Sequence, residues 1–448
     1  MDAIMNDFEI SIEAAALNRK RLIEALPDAI IVVEGNDLLT RSGDTHYPFR
    51  QNSDFIFLSA FHHPGAALII HPKGEILFIP EVDQKHLVWL GEAETTKSAK
   101  SDYKLRRVCY QGSFEQEFKK LADRYNLCYC APKLMSKLKK LSSIKMNSKD
   151  YRSSLNRLRQ YKQEGEIELM KRAANVTSSA HKELMKKLKP GMHEYELQAI
   201  FESHLTNEQM CHSFAPIVAS GKNASVLHYE KNNQKLKKGQ LLLVDAGAEA
   251  FGYAADVSRT IPVSGRYSKV QARLYSLVLQ AQQKTIDFCR PGVSFADINE
   301  CCSLSLREGL ADMGIIRGSS KGIDKLKPEA LFMPHGVSHM LGIDVHDVAC
   351  FKQKRGEESR AAFKRMELGE DMAITVEPGL YFIKALLEDR KNLKKYSEVI
   401  DFKLVDRYKG FGGIRIEDDI LITKRGNKVL TYAPKEIEEV EGCMERMT

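Results

Sequence analysis

The sequence predicts a mixed α/β protein (α+β) with two domains. Its length of 448 residues is enough for two or three domains with substantial cores. Short apolar runs of strand length alternate with helical patterns in the first third of the chain. A polar, lysine-rich stretch at Ser142–Asp150 then precedes a region of longer helices. We place the boundary just after this stretch, which gives domains 1–157 and 158–448.

The elements of the first domain follow from apolar periodicity. In residues 8–26 apolar and charged residues alternate at helical spacing, which predicts a helix. Short apolar runs predict the first strands. The polar segment Thr40–Leu58 precedes an apolar strand and is predicted to be a functional loop. The predicted strands are Ala29–Val33, Ala66–Ile70 and Ile76–Ile79. The remaining predicted helices are Phe114–Tyr125, Met135–Leu141 and Tyr151–Gln163.

The second domain contains two similar series of elements. In each, two helices are separated by a Pro-Gly pair, which is a helix stop signal. These pairs are Pro190-Gly191 and Pro291-Gly292, and their recurrence indicates a duplicated half-domain. The predicted helices are Glu166–Leu188, His193–Glu208, Val270–Cys289 and Phe295–Met313, and the predicted strands are Phe214–Ala219 and Leu241–Val244.

Composition excludes several classes of protein. Apolar residues make up 43% and charged residues 28%, as in ordinary globular proteins, and the net charge of +7 is small for this length. The lysine clusters at Lys133–Lys149 and Lys182–Lys189 lack interleaved aromatic or arginine residues, so solvated helix surfaces explain them better than nucleic-acid binding. Apolar runs such as Ala29–Val33 are far shorter than the roughly 20 residues needed to cross a bilayer. We therefore expect neither nucleic-acid nor membrane partners.

The nine cysteines indicate a reducing compartment. Their number is odd and none lies in a C-x-x-C pair, so neither a disulfide framework nor a zinc ribbon is expected. The sequence begins with the acidic MDAIMNDFEI, which has no apolar core of the kind found in signal peptides. These features predict a cytoplasmic protein.

Two aspartates in Leu241–Thr260 (LLLVDAGAEAFGYAADVSRT) are central to the functional prediction. The pattern predicts two strands, the first ending in Asp245. If they form a hairpin about Ala250–Phe251, Asp256 faces Asp245 with Cβ atoms roughly 4.5–5.5 Å apart. Carboxylates that close repel each other unless they are protonated or bridged by cations. An isolated pair at this spacing is more often a turn residue and a strand cap, so other stretches must decide.

Two stretches are notable for histidine. His228 interrupts an apolar run, where a lone histidine is more often a satisfied core residue than a catalyst. Phe332–Val348 (FMPHGVSHMLGIDVHDV) contains His335, His339 and His346, although the whole chain has only 13 histidines. This segment is too apolar for a solvent-exposed cluster, which favours a functional site.

Two later strand patterns supply more acidic residues. Ile374–Tyr381 predicts a strand that ends at Pro-Gly and contains Glu377. In Gly413–Asp419, period-two alternation places Arg415, Glu417 and Asp419 on one face of a strand. Glu377 and Glu417 thus join the two aspartates as candidate ligands.

Four carboxylates in one pocket cannot all stay ionised without cations. Two divalent ions would neutralise the set, and a bridging hydroxide would restore a charge of about −1. Oxygen ligands with one imidazole favour Mn²⁺ or Co²⁺, with Zn²⁺ or Fe²⁺ also compatible. Such a two-metal site activates a water molecule and polarises a carbonyl group, so the residues predict hydrolytic chemistry.

The motifs VDAG…ADVSRT, HGVSH…VHD, TVEPG and GIRIEDD, in this order, resemble the pita-bread metallopeptidases, which include aminopeptidase P, prolidase and methionine aminopeptidase. The resemblance covers roughly residues 160–440 and implies a curved antiparallel sheet with a dinuclear metal site. It implies metal ligands at Asp245, Asp256, His339, Glu377 and Glu417, of which Asp256 and Glu417 bridge. It also implies that His228, His335 and His346 bind substrate or handle protons, that Arg415 orients the ligands and that Tyr381 lines the pocket.

The first domain narrows the resemblance to the proline-specific members. Methionine aminopeptidases lack such a domain, and creatinase, which has one, lacks the five ligands. The stretch TRSGDTHYPFRQNSDF looks like that of aminopeptidase P of bacterial type. In these relatives a tryptophan placed like Trp89, the single one here, reaches a neighbouring subunit's active site. The resemblance thus implies a homodimer or homotetramer, although core packing is an equally reasonable role for Trp89.

The predicted reaction is metal-dependent hydrolysis of the bond between an N-terminal residue and a following proline, through a bridging hydroxide. A long insert after Tyr381 is prolidase-like, so an Xaa-Pro dipeptidase is the alternative. A dipeptidase needs a clamp for the substrate carboxylate, for which the candidates are Arg355, Arg360 and Arg365. Their spacing does not match the prolidase pattern, and we predict an open pocket that accepts Xaa-Pro-Yaa. A metal-free binding module and a di-metal phosphoesterase are more distant alternatives.

Overall fold

We describe the fold from a computed structural model, in which residues 2–91, 94–354 and 358–445 are described. The chain divides into two units. The first runs to Leu169 and includes Val348–Cys350, and the second comprises Met170–Asp347 and the chain from Phe351 onward. The predicted domain division at residues 157–158 falls within a helix and stays a prediction.

In its described residues, the first unit contains eight strands and seven α-helices of its own. The strands are β1 (Ile30–Glu34), β2 (Thr40–Ser42), β3 (Thr45–His46), β4 (Ala67–His71), β5 (Gly74–Ile79), β6 (Arg107–Tyr110), β7 (Leu127–Cys130) and β8 (Lys145–Asn147). The helices are α1 (Asp2–Ala25), α2 (Ser53–Ser59), α3 (Gln84–Leu90), α4 (Thr96–Asp102), α5 (Phe114–Ala122), α6 (Pro132–Lys139) and α7 (Lys149–Gln160).

Six strands of the first unit form a mixed sheet in the order β6-β5-β4-β1-β7-β8. Strands β1, β4 and β5 pair antiparallel, whereas β6, β7 and β8 join in parallel. The inner strands are apolar on both faces because helices cover the sheet, and α5 packs its Phe114 and Phe118 rings against it. The sequence thus predicted the main strands of this unit.

One prediction for the first unit is wrong. The predicted loop Thr40–Leu58 is not irregular throughout, because its apolar end lies in the helix α2. Asn52 caps it by accepting a hydrogen bond from the Phe55 N–H at 3.1 Å, and Ala60 ends it in a left-handed conformation (φ 54°). A run of four apolar residues does not distinguish a strand from a short buried helix, and the cap decides here.

The second unit contains helices α8 to α17 and strands β9 to β19. The helices are α8 (Glu164–Lys187), which begins in the first unit, α9 (Glu194–Asn207), α10 (Lys269–Phe288), α11 (Phe295–Asp312), α12 (Ser320–Leu326), α13 (Ser359–Lys364), α14 (Lys384–Leu387), α15 (Arg390–Tyr396), α16 (Phe402–Val405) and α17 (Ile437–Met444). The strands are β9 (Cys211–His212), β10 (Ile217–Ser220), β11 (Leu241–Asp245), β12 (Ala248–Ala250), β13 (Tyr253–Ala254), β14 (Ser258–Pro262), β15 (Ala373–Val376), β16 (Gly379–Tyr381), β17 (Gly413–Arg415), β18 (Asp418–Ile422) and β19 (Asn427–Val429).

The second unit repeats one arrangement. Helices α8 and α9 precede the three-stranded antiparallel sheet β10-β11-β14, and helices α10 and α11 precede the antiparallel sheet β15-β18-β19. A further three-stranded sheet (β13-β12-β9) and the β16-β17 pair extend them. The duplication indicated by the Pro-Gly pairs is therefore visible in the order of the elements.

The hairpin that carries the two aspartates has a different register from the predicted one. Its turn is Phe251–Gly252, where both residues have positive φ (47° and 90°). The partner of Asp245 is therefore Ser258 and not Asp256. Two-residue hairpin turns need positive φ at their central residues, which Gly252 adopts readily, and this requirement moves the turn one residue along the chain.

Two further observations concern predictions about the environment of the chain. Among the described helices, none combines the length and the apolar character needed to cross a bilayer. No two cysteines form a disulfide in the described part of the chain.

Candidate active site

The aspartates lie where the long hairpin changes from one sheet to the next. Asp245 ends β11, and Asp256 lies in the break between β13 and β14. The break forms because Gly247 passes very close to Ala255, where a Cβ atom on Gly247 would lie 1.8 Å from the Ala255 carbonyl oxygen. Asp245 and Asp256 are both buried and lie near each other although they are not opposed in the ladder.

The glutamates lie at equivalent breaks in the second half of the unit. Glu377 separates β15 from β16, and Glu417 separates β17 from β18. The sequence predicted one continuous strand at Gly413–Asp419, but the backbone leaves the ladder so that the Glu417 N–H donates to the Ser258 carbonyl oxygen at 3.0 Å. This bond joins the two halves of the unit at the site.

His339 is held beside these carboxylates by strand β15. Its carbonyl oxygen accepts from the Thr375 N–H at 3.0 Å. Its Nδ1 lies 3.0 Å from the Met340 carbonyl oxygen, to which Nδ1–H donates, so Nε2 keeps its lone pair. His339 Nε2 lies 3.5 Å from Asp256, 3.7 Å from Glu377 and 3.9 Å from Glu417. This geometry suits a metal ligand.

The residues fit divalent cations. Ligand atoms of Asp256, His339 and Glu417 all lie within 4.8 Å of one another. Burial raises the pKa of Asp256 and Glu417 well above the ordinary range, and neighbouring carboxylates raise it further. Burial also raises the pKa of Glu377 to about 7, although His339 and Arg415 oppose the rise. Bound cations would remove this penalty, and the buried, unpartnered Oδ1 atoms of Asp245 and Asp256 are available to them.

Arg415 organises the ligands from one side. Its guanidinium donates to Asp245 Oδ2 at 2.5 Å, to the Tyr381 hydroxyl at 2.9 Å and to Ser258 Oγ at 2.9 Å. The Ser258 hydroxyl in turn donates to Glu417 Oε2 at 2.8 Å. One oxygen each of Asp245 and Glu417 is therefore fixed by the protein, which leaves the other for a cation.

His335 and Tyr381 form a second pair. The Tyr381 hydroxyl lies 2.9 Å from His335 Nε2, and His335 Nδ1 lies 2.7 Å from the Gly336 carbonyl oxygen. Burial, followed by the Arg415 charge, lowers the pKa of His335 to about 4. The ring is therefore neutral near pH 7, with Nδ1–H donating to Gly336 and Nε2 accepting from Tyr381.

His346 and His228 lie at the edge of the cluster. The His346 ring lies 4.2 Å from the His339 ring, measured between centroids. Burial, followed by the two neighbouring histidines His339 and His228, lowers the pKa of His346 to about 4. His228 lies in an irregular turn and is exposed. Both histidines line the same cavity as the carboxylates.

This cavity has a volume of about 420 Å³. It is lined by Leu227, His228, Asp245, Asp256, His335, Gly336, Ser338, His339, His346, Arg360, Glu377, Arg415 and Glu417. Nine of the ten candidate site residues line this cavity. The tenth, Tyr381, contacts two of the lining residues, His335 and Arg415. Of the three candidate arginines, Arg360 lines the cavity, and Arg355 lies outside the described residues.

Sequence reasoning missed a buried ion network behind Glu417. Arg259 donates to the Glu417 carbonyl oxygen at 2.6 Å, to Asp418 Oδ1 at 2.6 Å and to the Ala433 carbonyl oxygen at 2.8 Å. Lys435 Nζ donates to Asp418 Oδ2 at 2.7 Å. Burial would raise the pKa of Asp418, but these two cations hold it at about 2.

This network fixes the backbone of a candidate metal ligand. Its members are far apart along the chain, so local patterns carry no signal for it. Ser258 was also missed, although it lies in the ADVSRT motif, two residues after the predicted ligand Asp256. The alternation of that strand could have indicated it.

Comparisons with known proteins agree with this geometry. Residues 168–424 match metallopeptidase family M24, and residues 15–129 match the aminopeptidase P N-terminal domain. The Homo sapiens Xaa-Pro dipeptidase is 31% identical over 96% of this chain and 92% of its own length. The Escherichia coli Xaa-Pro aminopeptidase is 31% identical over 97% of this chain and 98% of its own length.

Solved structures give the same result. A variant of Escherichia coli aminopeptidase P in complex with substrate matches with a TM-score of 0.85 at 29% identity, over 97% of this chain and 98% of that chain. A zinc-substituted form in complex with product matches with a TM-score of 0.83 over the same shares. These findings confirm the predicted pita-bread fold and its divalent-metal chemistry. The chain belongs to metallopeptidase family M24 and carries the aminopeptidase P N-terminal domain.

Proposed function

We propose that this chain is a metal-dependent Xaa-Pro aminopeptidase, which releases the N-terminal residue from peptides with proline in second position. One observation carries the proposal: three buried carboxylates, the partly buried Glu377 and His339 converge on one cavity. Relatives named Xaa-Pro aminopeptidase align with nearly the whole chain, which supports this substrate class. Proline matters because its nitrogen carries no hydrogen and its ring fixes φ, so a dedicated pocket is needed.

Asp245, Asp256, His339, Glu377 and Glu417 would hold two divalent ions, with Asp256 and Glu417 shared between them. Such a pair, when bound, lowers the pKa of a water molecule and polarises the scissile carbonyl group. The four carboxylates and single imidazole favour Mn²⁺, with Co²⁺, Zn²⁺ and Fe²⁺ as alternatives. Measuring activity after each metal is returned to the chelator-treated protein identifies the preferred ion.

The chain's own residues would bind and orient the substrate. His346 is neutral at pH 7 because burial lowers its pKa, so one ring N–H can donate to the carbonyl oxygen as charge develops. His228, which lines the same cavity, would donate to the same carbonyl group. Tyr381 already donates to His335 and accepts from Arg415, so this pair would mainly orient Arg415 and Asp245.

An Xaa-Pro dipeptidase is the second candidate, and Arg360 is the observation that favours it. A guanidinium at the cavity could pair with the carboxylate of a dipeptide. Phe363, on the same short helix as Arg360, packs on Phe295 with ring centroids 4.4 Å apart. It is therefore a packing residue. We retain the expectation that Xaa-Pro-Yaa is cleaved at least as well as Xaa-Pro, because Arg360 is exposed and lies on the short helix α13.

Steady-state rates on Ala-Pro and Ala-Pro-Ala decide between the two candidates. A preference for the dipeptide of more than about tenfold in kcat/KM, equal to about 1.4 kcal/mol, would make the chain a dipeptidase. Loss of that preference in Arg360→Ala would identify the clamp, with Arg365→Ala as the matched control. Ala-Ala-Ala tests proline specificity, and equal cleavage of Ala-Ala-Ala and Ala-Pro-Ala would contradict both candidates.

We further propose a cytoplasmic homodimer or homotetramer. Leu87, Val88 and Trp89 on α3 are 50%, 76% and 75% exposed, so core packing in their own unit is not their role. Contiguous apolar groups of this kind are typical of interaction sites. Trp89 would then contribute to a neighbouring active site. Light scattering on the wild type and Trp89→Ala tests the assembly, and an unchanged monomeric mass for both would contradict it.

A further inference from the structure

His228 lies on an irregular segment that needs support from elsewhere. Residues 226–240 contain neither a helix nor a strand, and only Lys235 forms an isolated bridge, with His193. Backbone groups in such a segment must find partners outside regular ladders. Asn232 supplies one anchor, since its Oδ1 accepts from the Val218 N–H at 2.9 Å.

Glu194 supplies a second, larger anchor. It is the first residue of α9 and is fully buried. Its Oε1 accepts from the N–H and hydroxyl of Ser220, both at 2.7 Å, and from the Asn223 side-chain amide at 3.1 Å. Its Oε2 accepts from the Tyr229 hydroxyl at 2.8 Å and from the Gln234 N–H at 2.9 Å. These donors lie on both sides of His228.

All five of these donors are neutral. A buried carboxylate is costly to desolvate unless hydrogen bonds satisfy its oxygens, and bonds to a charged acceptor are stronger than neutral ones. The carboxylate and the segment therefore stabilise each other. Burial, followed by the bond to Glu194, raises the pKa of Tyr229 to about 12, so this hydroxyl remains a donor near neutral pH.

Tyr229 links this anchor to the site. It directly follows His228, and its buried ring belongs to the apolar cluster that contains Tyr381 and Leu227. Leu227 and His228 both line the cavity. Moving Tyr229 would therefore move His228 relative to the rest of the site.

We propose that Glu194 is a positioning residue. It holds His228 at the cavity through Tyr229 and through donors that lie before and after His228 in the chain. This inference rests on the proposed function, in which His228 binds the scissile carbonyl group. Glu194 contacts none of the five candidate metal ligands in the interactions described above. It should therefore affect turnover without affecting metal content.

The central test is a double-mutant cycle on the metal-loaded protein. Glu194→Gln keeps the shape but presents an amide N–H₂ to groups that also donate. We expect kcat to fall about tenfold or more with KM changed less, and metal content to equal that of the wild type. In a His228→Ala background the same substitution should cost less than about twofold, because the histidine to be positioned is absent.

Two further variants complete the design. Tyr229→Phe removes the hydroxyl that donates to Glu194 and should reproduce part of the loss if Glu194→Gln folds poorly. Glu196→Gln is the matched control, because it lies on the same helix end, glutamine can still accept from the His193 N–H, and Glu196 accepts none of the five bonds made to Glu194. It should leave the rate unchanged. Hydrogen exchange should show faster exchange at residues 226–234 in Glu194→Gln only.

The outcomes separate the two proposals. If the wild type does not cleave Xaa-Pro peptides, the proposed function fails. If the wild type is active and Glu194→Gln equals it, the positioning role is wrong. A loss that is equally large with and without His228 would also overturn the positioning role, because Glu194 would then act elsewhere.

Discussion

Two of the carboxylates at the candidate site divide their oxygens between the protein and the cavity. Asp245 Oδ2 is held by Arg415, and Glu417 Oε2 is held by Ser258. The bonds fix the direction of each remaining oxygen before any cation arrives. Outer partners of this kind typically contribute 10–100-fold to metal affinity or activity.

We predict that Glu417→Ala abolishes turnover, with a loss of more than about 10²-fold, and lowers metal content. The chain should stay folded because the backbone bonds of Glu417 to Ser258 and Arg259 remain. Metal analysis and steady-state kinetics check this. Ser258→Ala, which removes one bond to Glu417, should lose only about 10–100-fold. Near-normal activity with full metal content in Glu417→Ala would refute the ligand assignment. Asp245→Ala should keep one metal.

Substitution of the histidines should separate ligands from substrate contacts. His339→Ala should lose metal because Nε2 faces three carboxylates. His228→Ala should keep its metals and lose roughly 10²–10³ in kcat, the usual cost of one donor to a developing oxyanion. Metal content by elemental analysis distinguishes the two classes. If His228→Ala loses metal as readily as His339→Ala, the roles are misassigned.

At the scale of elements, the site depends on interrupted strands. Most strands and helices could be predicted from apolar periodicity, because each buries one face or both. The hairpin register could not, because the turn depends on which residues adopt positive φ, and Phe251 is an uncommon choice. Nor could the breaks at Asp256 and Glu417 be predicted. The first depends on the close approach of Gly247 to Ala255 in the folded hairpin, and the second on a contact with the distant Ser258.

Gly247 is the residue on which the first break depends most. Alanine there would place a Cβ atom 1.8 Å from the Ala255 carbonyl oxygen, next to Asp256. We predict that Gly247→Ala lowers the free energy of unfolding by about 3 kcal/mol or more and weakens metal binding. At Gly426 an added Cβ atom would have no neighbour within 4 Å. Gly426→Ala should therefore change the free energy of unfolding by less than about 0.5 kcal/mol. Urea unfolding compares the two, and equal stability would exclude a tight contact at Gly247.

At the scale of the whole molecule, metal binding and folding of the second unit should be linked. The five candidate ligands come from distant parts of the chain, so only the folded unit brings them together. A ligand that binds only the folded state stabilises it by RT ln(1 + [L]/Kd), or about 2.7 kcal/mol at 100 times Kd. The five candidate ligands could be named from their motifs, whereas the supporting pair Arg259 and Asp418 required the fold.

We predict that chelation lowers the midpoint of thermal unfolding and that added Mn²⁺ restores it in a concentration-dependent way. Glu417→Ala should show a much smaller shift, because it lacks the proposed shared ligand. Calorimetry over a metal series measures both. A wild-type midpoint that does not respond to chelation or metal would contradict the coupling.

The tail segment Ala433–Lys435, which donates to and accepts from the network behind Glu417, has a consequence for biosynthesis. A ribosome makes Asp245 and Asp256 long before it makes Glu417 and this tail. At roughly 5–20 residues per second, the interval between Asp256 and Lys435 is on the order of 10 s. For most of that time the nascent chain has Asp245 and Asp256 but lacks Glu417, and until the end of it the chain lacks the supporting Lys435. We therefore expect a growing polypeptide of this enzyme to be unable to cleave its neighbours, and hydrolysis to begin only after the tail has left the ribosome and docked.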